Sequence, residues 1–271
     1  MLLSFHTPRV SPATPRPPSL DKLETGRAGG LNPRCVVSNI IQVWYIPSMK
    51  CILVRHGETD RNKNKHAPGV ASTIGLNDTG RLQAKAVAQR LRDEHIDVIY
   101  CSNLPRAQET ADIIAEHHPQ TARLVDRDIR ERDTGVFASR TVAEREEAEK
   151  SSGLGFRDWK PEGGESLRDV KHRAATWLTR VKERPDHETI LVVSHGFFLY
   201  SVLELMVEGG ADVEREDFSM SNGGLTILNI HPEGRTEVVH LNETSYLGSI
   251  RTLSSGIKSR LQSVRKPKKS F

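Results

Sequence analysis

Cys51-Ile52-Leu53-Val54-Arg55-His56-Gly57 and, far downstream, Ile190-Leu191-Val192-Val193-Ser194-His195-Gly196 share one grammar: an unbroken apolar run that ends in polar, ionisable residues and a glycine. An apolar run without polar alternation marks a strand buried on both faces, and such strands belong to largely parallel sheets covered by helices on either side. In open sheets of that kind ligands collect at the carboxyl ends of the strands. Two histidines, each directly beyond a strand, are therefore placed to share one pocket. The glycine behind each lets the backbone turn sharply and come close to a ligand.

Outward from these runs, strand and helix signals alternate from residue 51, which predicts one α/β domain: a three-layer sandwich with a mostly parallel central sheet and helices on both faces. Asn77-Asp78-Thr79 offers N-cap side chains to a helix with Leu82, Ala86 and Leu91 on its inner face. Residues 97–101 read as a second strand. A helix follows from Pro105, which suits a first helical turn, to about His118. A long helix over about 165–183 follows Gly163-Gly164 and must stop before Pro185. Strands near 225–230 and 236–241 complete the sheet. No internal repeat is visible.

Charge and composition exclude several classes. The net charge of the 271 residues is +4, but residues 1–50 and 251–271 together contribute +11, which leaves residues 51–250 at −7. The basic balance belongs to the ends and gives no support to a nucleic-acid-binding body. Cys35, Cys51 and Cys101 are far apart and form no C-x-x-C pair, so neither a zinc knuckle nor a disulfide framework is indicated, and a cytoplasmic setting fits. No apolar run approaches the roughly 20 residues that span a bilayer, so no membrane partner is expected. Gly209-Gly210 and Asn222-Gly223-Gly224 match no nucleotide-loop pattern, and His117-His118 reads as an exposed helix end without a third metal ligand, so no cofactor and no metal are expected.

Half of the prolines lie in residues 1–48, which show no period of 2 or 3.6. Three readings stand: a start placed too far upstream, a natural disordered arm, or a targeting peptide. Met49-Lys50, directly before a buried-type strand, favours the first. The expected domain spans 49–248. A basic tail over 249–271 either is solvated or forms a weak amphipathic helix through Ile250, Leu253, Ile257, Leu261 and Val264. Nothing in the sequence sets the oligomeric state.

Arg55-His56-Gly57-Glu58-Thr59 with Asn62 resembles the Arg-His-Gly-Glu-Thr/Ser signature of the histidine phosphatase (phosphoglycerate-mutase-like) superfamily. Leu76-Asn77-Asp78-Thr79-Gly80, then Ser102-Asn103-Leu104-Pro105-Arg106-Ala107 with Thr110-Ala111, are similar to further elements of the family. Glu131-Arg132-Asp133-Thr134-Gly135, Gly164-Glu165-Ser166, Ser194-His195-Gly196 and Leu241-Asn242-Glu243-Thr244 continue the match in order. The resemblance covers roughly residues 50–248.

It implies that His56 is the nucleophile that accepts a phosphoryl group. A phosphate monoester carries about two negative charges and needs a cationic, donor-rich cradle. Arg55 and Arg106 have the planar forks that grip phosphate oxygens, and their charge keeps His56 neutral. His195 donates to the transferring group, and its protonated form would help most. By resemblance Asn62 donates to the same oxygens, and Gly57 and Thr59 join the expected phosphate-binding set. Glu131 is the candidate general acid and base; its bland alternative is an ion pair with Arg130 or Arg132. Glu58 and Glu165 read as structural.

The implied activity is a metal-independent phosphatase that hydrolyses small phosphate monoesters of phosphorylated metabolites. A phosphoglycerate mutase primed by 2,3-bisphosphoglycerate is the alternative. The stretch between Glu131 and Ser194 is short for the mutases' substrate-covering insertion, and the tyrosine they place after the corresponding Glu-Arg is absent. A non-catalytic module that binds phosphorylated partners is the third reading.

Overall fold

Parallel pairing of the two quoted runs organises the molecule. β1 (Met49–Arg55) and β4 (Thr189–Ser194) lie side by side with Cys51 opposite Ile190 and Arg55 opposite Ser194. The computed structural model describes residues 48–66, 69–70, 73–184, 187–207, 218–231 and 234–250. The N-terminal extension, Gly209-Gly210 and residues 251–271 of the basic tail lie outside the described residues.

The sheet has six strands in the order β3-β2-β4-β1-β5-β6. β2 (Val98–Ser102) pairs parallel with β4 and with β3 (Ala122–Asp126), whereas β5 (Leu225–Ile230) runs antiparallel to β1 and to β6 (Thr236–Glu243). Only β5 opposes the common direction, so the sheet is mostly parallel and the α/β reading holds.

The pleat explains why the central runs carry no polar residue. Cys51, Leu53, Ile190 and Val192 pack with the helices α5 (Leu167–Lys182) and α6 (Gly196–Met206), around Val170, Trp177, Phe198 and Leu203. Ile52, Val54, Leu191 and Val193 face the opposite layer of α2 (Asp78–Leu91) and α3 (Pro105–Ala115), around Val87, Leu91, Ala111 and Ile114. Alternate side chains point to opposite faces, and both faces are covered. A short helix α1 (Asp60–Lys63) follows β1, and α4 (Val142–Ser151) precedes α5.

The caps follow the sequence. Asn77 Oδ1 accepts the Gly80 amide at the start of α2, and Ser166 makes a capping box with Asp169 at the start of α5. α5 ends at Lys182 with Glu183 as its cap.

Three expectations need correction. Leu82 is 51% exposed, because the inward stripe of α2 is Gly80, Ala84, Val87, Ala88 and Leu91, the spacing of a helix that presents its small residues to the sheet. α3 stops at Ala115, and His118 is buried rather than exposed, held by a hydrogen bond to the Leu91 backbone. β3 and α4 were not anticipated. Among the described residues no helix is long and apolar enough to cross a membrane.

Candidate active site

The register of β1 and β4 places the two histidines. His56 and His195 each follow one member of the Arg55–Ser194 pair, and the His56 amide donates to the Ser194 carbonyl at 3.0 Å. Their rings therefore stand beside each other at the carboxyl edge of the sheet, with centroids 5.0 Å apart and planes tilted by 57°. Both side chains are fully buried.

His56 Nδ1 lies 2.7 Å from the Gly57 carbonyl, which can only accept, so Nδ1 carries the proton and Nε2 presents its lone pair. Arg106, in the first turn of α3, donates Nε–H to that Nε2 at 3.2 Å and Nη2–H to the Gly69 carbonyl at 3.3 Å. Although Arg106 stands on a helix, its side chain is fully buried. Arg55 donates Nη1–H to the Met220 carbonyl at 2.6 Å. His195 Nε2 lies 2.8 Å from Ser102 Oγ.

Three buried nitrogens in this cluster, Arg55 Nε, Arg106 Nη1 and His195 Nδ1, have no hydrogen-bond partner among the described residues. Buried donors are almost always satisfied. An acceptor from outside the protein, brought beside His56, could satisfy them.

Electrostatics agree. Burial, then Arg106 and Arg55, push the His56 pKa well below its ordinary value, and burial and Arg106 do the same to His195. Neutral imidazoles are thereby favoured at physiological pH, and the protonated His195 expected from the sequence is disfavoured. Burial lowers the Arg106 pKa to about 10 and also lowers that of Arg55, in both cases against the attraction of Glu131. Both guanidiniums remain charged near neutrality. With one carboxylate among them, the cluster keeps a net positive charge for an anion.

Glu131 Oε1 accepts the Arg132 amide at 2.8 Å and the Phe197 amide at 3.1 Å, the latter from the N-terminus of α6. A Cβ on Gly196 would lie 3.8 Å from both Glu131 Oε2 and Arg55 Cζ, so the carboxylate and the guanidinium flank the same turn. Arg130 gives its guanidinium to Glu165 at 2.9 Å. Glu165 also accepts from Arg173 and from the Asp133 amide, which makes it the post that holds the loop carrying Glu131, as its structural reading required.

Other expected residues serve the frame. Gly57 gives its amide to Thr110 Oγ1, and a Cβ there would lie 2.3 Å from the Gly80 carbonyl, so only glycine fits where β1 abuts α2. Thr59 caps α1, and its amide and hydroxyl both donate to Asn62 Oδ1. The same Oδ1 also accepts from Asn222 Nδ2 at 3.3 Å, so the Asn62 oxygen is held within the frame. Glu58 accepts from Asn77 and is structural.

Sequence reasoning gave no role to Ser102, although it stands in the segment quoted with Arg106. Asn222 donates to the His56 carbonyl at 3.0 Å and braces the turn behind the ring. Arg132 was also passed over; it is fully buried, donates to the Glu165 and Trp159 carbonyls and stacks over Trp159 and Phe197. Of the loop over 67–75, only residues 69–70 and 73–75 are described. Among the described residues no three His, Cys, Asp or Glu side chains are grouped to hold a metal ion.

Fold and pocket together define an α/β protein with a buried cluster of two histidines and two arginines at the carboxyl edge of its sheet. The chain belongs to the histidine phosphatase superfamily (branch 1), whose pattern it matches over residues 51–244. It is 35% identical over 210 residues to phosphoglycerate mutase-like protein 4 of Arabidopsis thaliana, covering 73% of this chain and 89% of that one. Phosphoserine phosphatase 1 of Hydrogenobacter thermophilus is 34% identical over 208 residues, 74% of this chain and 95% of the relative. Among solved structures, a mycobacterial glucosyl-3-phosphoglycerate phosphatase superposes with a TM-score of 0.62 at 25% identity, covering 73% of this chain and 100% of that one.

Proposed function

We propose that this chain is a phosphatase that hydrolyses small phosphate monoesters through a phosphohistidine on His56. The observation that carries the reading is the set of buried nitrogens on Arg55, Arg106 and His195, without partners among the described residues, around an imidazole held as a neutral Nδ1–H tautomer. A phosphoryl group supplies the acceptors those donors require, while its phosphorus faces the Nε2 lone pair. Arg106 then moves its bond from Nε2 to a phosphate oxygen and frees the nucleophile.

In the first step the Nε2 lone pair forms an N–P bond as the ester O–P bond breaks, and Glu131 gives a proton to the leaving oxygen. In the second, water attacks phosphorus, the N–P bond breaks, and Glu131 takes the water's proton. Guanidinium charge stabilises both transition states, so the mechanism calls for no metal. Relatives named as phosphatases support this branch. The mutase reading draws on the relative named mutase-like.

Hydrolysis of p-nitrophenyl phosphate in the presence of EDTA tests the proposal. Turnover that survives chelation and disappears in His56→Ala is expected. A requirement for added divalent metal contradicts it, dependence on a bisphosphorylated primer favours the mutase, and tight phosphate binding without turnover favours a binding module.

A further inference from the structure

Ser102 is the last residue of β2, and its side chain is fully buried. Its Oγ accepts the Leu104 amide N–H at 3.2 Å and lies 2.8 Å from His195 Nε2. A serine hydroxyl has one proton to give and two lone pairs to receive with. Were Nε2–H to point at Oγ, both lone pairs would be taken and the serine proton would have no acceptor among the described residues. Burying an unsatisfied hydroxyl proton is costly. The arrangement that satisfies every group has Ser102 Oγ–H donating to Nε2, with the ring's proton on Nδ1. Nδ1 is buried, lies on the ring beside His56, and has no partner among the described residues.

We propose that Ser102 is a positioning residue that sets the tautomer of His195, so that the neutral ring presents an Nδ1–H donor to the transferring phosphoryl group. This rests on the phosphatase reading above. It supplies what that reading needs, because burial and Arg106 disfavour the imidazolium form of His195. A neutral imidazole has one proton, and in the wrong tautomer it would turn a lone pair toward phosphate oxygens. Both histidines are then the same Nδ1–H tautomer, but they turn opposite ring nitrogens toward the phosphoryl group. His56 spends its Nδ1–H on the Gly57 carbonyl and offers an electron pair, whereas His195 spends its Nε2 lone pair on Ser102 and offers a proton. Neither ring has to be charged.

The test is nitrogen-15 NMR of the histidine ring nitrogens in the resting full-length chain at neutral pH, with the His195 signals identified by their loss in His195→Gln. A protonated Nδ1 and an unprotonated Nε2 are expected; an Nε2–H ring in the wild type overturns the inference. In Ser102→Ala the ring should shift toward Nε2–H and kcat should fall roughly tenfold to a hundredfold, the scale of one transition-state donor, with KM nearly unchanged. Ser102→Thr, which keeps the hydroxyl, should recover both. A folded Ser102→Ala with wild-type kcat and unmoved His195 signals overturns the inference. If the variants do not fold, the wild-type spectrum decides alone. The two claims separate, since absent turnover in the wild type counts against the phosphatase reading, whereas the tautomer is read without substrate.

Discussion

At the scale of single residues, position relative to a strand end decides chemistry. His56 and His195 are ordinary imidazoles made unusual by the last strand pair before them, which sets their rings 5.0 Å apart in a buried, cationic place. Glu131 is held by two backbone amides through one oxygen and lies beside Arg55. If it supplies the leaving group's proton, Glu131→Gln should slow alkyl phosphates far more than p-nitrophenyl phosphate, whose leaving group needs no proton. The expected gap in kcat is about a hundredfold, within the usual range for general acid catalysis; equal losses on both esters remove Glu131 from that role. The two histidines were legible because each directly follows a buried strand, whereas Arg106 was singled out by the family resemblance of its segment. Ser102 and Asn222 were not, because a serine or asparagine earns its role only from a partner far away in sequence.

Elements show the same division between local and long-range signals. The strands β1, β4 and β5 and the cap of α2 are written in neighbouring residues, and they lie where the sequence put them. β3 was missed because it is an edge strand whose Arg123, Leu124 and Val125 are all exposed, so no face of it is patterned by a core. α4 carried a legible start, Thr141 to Glu144 in a capping box, but only Arg145 of it is buried, so no apolar stripe marks it as a helix. The inner face of α2 was misread because small residues, not leucines, touch the sheet. That closeness is testable. A Cβ on Gly80 would lie 2.1 Å from the Glu58 carbonyl, backbone that cannot give way cheaply. Gly80→Ala should lose roughly 1–3 kcal/mol in urea denaturation, the range of an overpacked site. Unchanged stability would show that β1 and α2 can part without cost.

For the whole molecule, the site stores a cost that pH reveals. Folded His56 and His195 resist protonation, their pKa values lying well below 6.5, whereas in the unfolded chain they titrate near about 6.5. As pH falls through that value, the unfolded chain takes up protons that the folded chain refuses. Stability from this source is therefore intact above about pH 6.5 and declines below it, by up to roughly 1.4 kcal/mol per pH unit for each histidine. In phosphate-free buffer the urea midpoint should fall more steeply between about pH 6.5 and 5 for the wild type than for His56→Ala; parallel slopes would contradict the buried neutral rings. The central claim is that a phosphoryl group resides for a time on His56. Rapid acid-free quenching of the enzyme during turnover, followed by peptide mass mapping, should find an acid-labile phosphate on the peptide containing His56 and none there in His56→Ala. Turnover at full rate with no phosphate ever trapped on that histidine, or with the label on another residue, would contradict the account.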